Sequence, residues 1–175
     1  MKLRLLLTAV SVLTLVAGCS GDVTGTATAD QAEPFDPCTI PDDAIAAAGL
    51  DPATKSSITD GGYITPGWDI CSWDGSQENS WYSLSIFFSL VYTIEDVRTD
   101  TRYSEMTTLT VAGRESLRYK FGIVDLSETC DIAFQTEAGL IKISALKKGS
   151  QDLQGDMCDI NTRHSEILSS TLPQS

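Results

Sequence analysis

The chain has 175 residues, 42% hydrophobic and 21% charged, which suits one folded domain and excludes a disordered chain. Twelve basic residues stand against 24 acidic ones, a formal net charge of −12. That surplus of carboxylates repels nucleic-acid backbones and argues against electrostatic docking on anionic lipid.

The first eighteen residues read as a leader. Lys2 and Arg4 make a short basic start, and Leu5 to Val16 is apolar apart from Thr8, Ser11 and Thr14. That run is too short to span a bilayer and fits the core of a signal peptide. Leu15-Val16-Ala17-Gly18-Cys19 resembles the bacterial lipobox, in which small residues admit a peptidase and the cysteine thiol takes a diacylglycerol. We expect residues 1–18 to be a lipoprotein signal peptide and Cys19 to be the acylated first residue of the mature chain. Several acyl chains, palmitate among them, hold a protein firmly where one binds only marginally. Cleavage would leave ten basic and 24 acidic residues, a net charge of −14. Ser20 to Pro34 is small and polar, and it buries too little to offset its ordering entropy. Residues 19–34 are therefore expected to be a flexible tether. Residues 35–175 are expected to form the single extracytoplasmic domain, at the outer face of the cytoplasmic membrane.

Of the five cysteines, Cys38, Cys71, Cys130 and Cys158 remain after Cys19 is assigned to lipid. An even number outside the cytoplasm points to disulfides. Their spacings contain no CxxC, which speaks against a zinc site. Four cysteines allow three pairings. The sequential one, Cys38–Cys71 with Cys130–Cys158, closes the shorter loops and is the one we favour.

Pro41 to Gly49 reads as a short helix, with Asp42 and Asp43 at its positive end and Gly49 as its stop. Asp51-Pro52 begins a turn, and Asp60-Gly61-Gly62 makes another. Trp68 to Trp73 reads as a strand carrying Cys71. Trp81 to Val91 alternates, with Tyr82, Leu84, Ile86 and Phe88 on one face. Thr93 to Asp96 resembles a capping box, opening a helix that should run to about Tyr103. Met106–Val111 and Glu115–Phe121 flank Ala112-Gly113-Arg114 as a hairpin. Cys130 to Thr136 sets Ile132 and Phe134 against Asp131 and Gln135, and Leu140 to Leu146 returns with Ile141, Ile143 and Ala145 on one face. Asp156 caps a last helix, in which Ile160, His164, Ile167, Leu168 and Thr171 recur at helical spacing until Pro173. The fold class is α+β: an antiparallel sheet of five to seven strands under three helices, with two disulfides.

Phe35-Asp36-Pro37-Cys38-Thr39, Gly67-Trp68-Asp69-Ile70-Cys71-Ser72-Trp73 and Val111-Ala112-Gly113-Arg114 with Leu117-Arg118-Tyr119 follow one another along the chain. Cys130-Asp131-Ile132-Ala133-Phe134 and Gly155-Asp156-Met157-Cys158 complete the set. Together with the lipobox they resemble an actinobacterial secreted lipoprotein family catalogued as domain of unknown function 3558. The family's late cysteine usually follows a proline; Met157 stands there in this chain. The resemblance implies export, lipidation and two disulfides, and it supplies no activity.

Chemistry-bearing motifs are sparse. His164 is the only histidine and lies on the face assigned to the core. No GxSxG surrounds a serine; Gly113-Arg114-Glu115-Ser116-Leu117 falls short. Asp152, Asp156 and Asp159 lack the spacing of a calcium loop and read as a helix cap with solvated acids. No phosphate loop is present. We therefore expect no catalytic, metal-binding or cofactor-binding residues and no enzymatic activity. Tyr63, Trp68, Trp73, Trp81 and Tyr82 lie close in sequence, and two readings stand: a groove for a ligand, or a core beside a disulfide. The expected role is a binding or interaction module of the cell envelope, held to the membrane through Cys19. Its partner would be an envelope protein or a small ligand and not nucleic acid. An accessory lipoprotein without a pocket and a hydrolase are the alternatives.

Overall fold

The computed structural model describes residues 34–62, 64–122, 125–149 and 151–174. The expected leader, the expected lipidation site Cys19, residues 20–33 of the expected tether and Tyr63 lie outside the described residues.

Seven strands form one antiparallel sheet: β1 (Leu50–Ser57), β2 (Asp69–Gly75), β3 (Tyr82–Ser89), β4 (Tyr103–Val111), β5 (Arg114–Phe121), β6 (Thr129–Gln135) and β7 (Leu140–Lys147). Their order is β1-β2-β3-β7-β6-β5-β4. Two meanders, β1 to β3 and β4 to β7, thus meet along β3 and β7. Helix α1 (Asp42–Ala47) precedes β1, α2 (Ile94–Thr99) links the two meanders, and α3 (Met157–Leu168) ends the domain.

The first face of the sheet carries the main core. Across it Leu84, Ile86, Ile132, Ile141 and Ile143 are fully buried, joined by Trp73 and Phe88. Helices α1 and α3 supply Ile45, Met157, Ile160 and Leu168 from above. Each aliphatic side chain so buried contributes roughly 1.5–3 kcal/mol. Both expected disulfides are present, Cys38–Cys71 with Cα atoms 5.2 Å apart and Cys130–Cys158 at 5.0 Å. They fasten the chain's entry to β2 and the start of α3 to β6.

Three expectations are corrected. Asp51-Pro52 does not turn the chain but opens strand β1. Proline is tolerated there because β1 lies at the sheet edge. The ladder is irregular between Asp51 and Ser56, and the Thr54 hydroxyl accepts from the Asp74 backbone N–H at 2.9 Å in its place. Helix α2 has the expected capping box but stops at Thr99 rather than near Tyr103. Asp100 accepts from the Arg102 backbone N–H at 2.9 Å, a turn that takes the chain out of the helix. Asp131, expected on a polar face, is 3% exposed because β6 is covered on both sides.

The β4–β5 hairpin turns at Ala112 and Gly113, with φ of 48° and 83°. Two successive left-handed residues match the twist of the flanking strands, and glycine takes that conformation without strain.

Candidate ligand site on the second sheet face

Strand register lays two rows of side chains across the second face. One row runs Tyr119, Asp131, Ser144, Ser85, Ser72; the next runs Leu117, Ala133, Lys142, Phe87, Ile70. Helix α2 covers the end of this face nearest β6, where Val97 packs with Leu117, Tyr119, Ala133 and Leu140.

Trp68, from the loop before β2, stacks on Tyr92 with ring centroids 5.2 Å apart and planes 20° apart. It also meets Phe87 edge-on at 5.7 Å. Asp100 and Arg102 form a forked ion pair, with Nε 2.9 Å and 3.1 Å from the two carboxylate oxygens. The hydrogen bonds from Arg102 hold the Asp100 carboxyl below its usual range. Between these groups lies a hollow of about 330 Å³, lined by Trp68, Tyr92, Asp96, Asp100, Arg102 and Tyr103 with Thr65, Pro66 and Val97. Its volume falls at the small end of the roughly 300–1,000 Å³ typical of ligand sites.

Behind the hollow lies a buried polar cluster. Tyr103 packs on Tyr119 with centroids 4.3 Å apart, and the Lys142 ammonium lies 3.7 Å from the Phe87 ring centroid and 5.4 Å from that of Trp68. Rings held so close attract a cation through their electron-rich faces. The Tyr119 hydroxyl and Oδ1 of Asp131 are buried without a hydrogen-bond partner among the described residues. Burial pushes the Asp131 carboxyl up, against the pull of Lys142 and Ser144. Burial also pushes the Lys142 amine down, with Asp131 opposing. The Tyr119 phenol is raised well above its ordinary value, by burial first and then by Asp131. Neither Asp131 nor Lys142 borders the hollow.

The aromatic residues singled out from sequence divide between the two faces. Trp73, Trp81 and Tyr82 are buried in the main core, at 1%, 3% and 5% exposure, whereas Trp68 lines the hollow. Tyr92, Arg102 and Tyr103 were missed; the alternation of β3 stops before Tyr92, and no local pattern joins residue 68 to residue 102. His164 is buried beside Tyr82, whose hydroxyl lies 2.9 Å from Nε2. Asp156 caps α3 by accepting from the Cys158 and Asp159 backbone N–H groups.

The family model described as a protein of unknown function (DUF3558) matches residues 14–171. The chain belongs to that family. Comparison with curated proteins and with solved structures finds no match. For this DUF3558 chain, the geometry of the second face is therefore the main guide to function.

Proposed function

We propose that the chain is a lipid-anchored extracytoplasmic binding module of the cell envelope, not an enzyme, and that its ligand sits between Trp68–Tyr92 and Arg102–Tyr103. The observation that carries this reading is the hollow walled by a stacked aromatic pair on one side and a forked Arg102–Asp100 ion pair on the other. Aromatic faces favour a flat apolar ring surface, while the guanidinium and carboxylates offer donors and acceptors to a polar rim. That pairing suits a small molecule with one apolar face and a hydroxylated edge, the chemistry of a sugar ring. Binding is favoured over hydrolysis because the two carboxyls that line the hollow, Asp96 and Asp100, are held below their ordinary range by hydrogen bonds from Thr93 and Arg102, so neither holds a proton to donate near neutrality.

The test is thermal unfolding and native mass spectrometry of the purified protein against a panel of mono- and disaccharides of envelope polymers. A ligand should raise the unfolding temperature and add its mass. Trp68→Ala and Arg102→Ala should abolish both effects, and Glu78→Ala, at an exposed turn away from the hollow, should keep them. No shift and no added mass for the wild type across the panel would exclude the reading.

A further inference from the structure

Apolar surface and the chain's point of entry coincide at one end of the sheet. Ile64 is 85% exposed, Leu90 65% and Val91 68%. The two loops that carry them pack together: a Cβ on Gly67 would lie 3.0 Å from the Tyr92 ring and 3.5 Å from Val91. Ile64, Leu90 and Val91 border one hollow with Ile58, Thr59 and Trp68. An adjoining hollow shares those last three residues and is bounded by Pro34 and Phe35, where the described chain begins. Phe35 packs edge-on against Phe88 with centroids 5.7 Å apart, two positions before Leu90.

We propose that this end of the domain seats on the lipid bilayer, with Ile64, Leu90 and Val91 entering the interfacial region. The proposal rests on anchoring through Cys19. Sixteen residues, Cys19 to Pro34, join the anchor to the domain and reach at most about 55 Å. The anchored chain enters the domain beside the patch, which keeps Ile64, Leu90 and Val91 within reach of the bilayer. Tyr92, 37% exposed beside them, has the amphipathic ring that settles at the headgroup level. Exposed acids line the same two hollows, Asp36 and Asp69. Attachment is therefore apolar, and anionic lipid weakens it.

The test separates seating from biological lipidation. With four cysteines in disulfides, the Cys19 thiol of the unacylated mature chain is free to couple to a maleimide-bearing lipid in zwitterionic phosphatidylcholine vesicles. Leu90→Trp and Glu78→Trp are compared with the wild type, with and without bromine-labelled acyl chains. The added emission at position 90 should be quenched and that at position 78 preserved. Adding anionic lipid should reduce the quenching. Equal quenching at the two positions, or quenching that requires anionic lipid, would overturn the proposal. So would shielding of position 90 that depends on protein concentration without vesicles, which assigns the patch to a second copy.

Discussion

His164 is 1% exposed, and burial first, then Arg163, pushes its imidazole down to about 4 from 6.5, with the Ala48 backbone opposing. The fold thus prefers the neutral ring, while the unfolded chain takes up a proton near 6.5. The associated stability is complete above 6.5 and is lost as the pH falls from there toward 4, in total about 3 kcal/mol. As the chain's one histidine, His164 gives unambiguous ring resonances. An NMR titration should find it neutral at pH 5.5; a midpoint near 6.5 would contradict the burial. The same physics governs Asp131. Lys142 opposes the upward push of burial on that carboxyl, so Lys142→Met should raise it further. A carboxyl raised in the fold costs stability as the pH climbs from about 3.9 through its folded value. The variant should therefore lose more stability relative to wild type at pH 7 than at pH 4, in denaturant titrations. An equal loss at both would remove Asp131 from the account. Helical spacing was enough to put His164 in the core. Alternation misjudged Asp131, because a period of two separates the faces of a strand without saying whether both are covered.

Strand β6 and helix α3 are held together both covalently and by buried hydrogen bonds. The Cys130–Cys158 bridge joins them, and the Asn161 amide donates to the carbonyls of Cys130 and Ile143 at 2.7 and 2.8 Å. Replacing Cys130 and Cys158 together by alanine should lower stability by about 3–4 kcal/mol, the loop-closure entropy of a bridge of this span. Urea unfolding gives the loss, and non-reducing peptide mapping checks the pairing beforehand. A double variant as stable as wild type would mean that Asn161 and the apolar face of α3 suffice. Helix boundaries were legible where a cap announces them, at Thr93 and Asp156. The end of α2 was not, because the Asp100–Arg102 turn and the packing of Tyr103 on Tyr119 outweigh helical propensity there. Strand β1 was hidden by its turn-forming residues, which only an edge position tolerates.

At the scale of the whole molecule, the proposed anchor can be tested apart from the fold. If Cys19 carries the anchor, Cys19→Ala should move the protein from the detergent phase to the aqueous phase, or block its maturation, without changing its unfolding temperature. Unchanged partitioning in Triton X-114 would refute lipidation. The topology closes two meanders by pairing β3 with β7, so that loops distant in sequence meet at one end. Arg102, which leads into β4 of the second meander, thereby meets Trp68 and Tyr92 of the first around one hollow.

The chain alone determined most of the elements, the main core and the family, because these follow from periodicity, caps and motifs that act over a few residues; cysteine count left three disulfide pairings, and the fold decided for Cys38–Cys71 with Cys130–Cys158. Only the tertiary structure decided that Asp131 is buried, that Trp68 leaves Trp73 and Trp81 for the other face, and that Tyr92 and Arg102 join it. Such assignments depend on which strands become neighbours and which face a helix covers, and no local pattern encodes either.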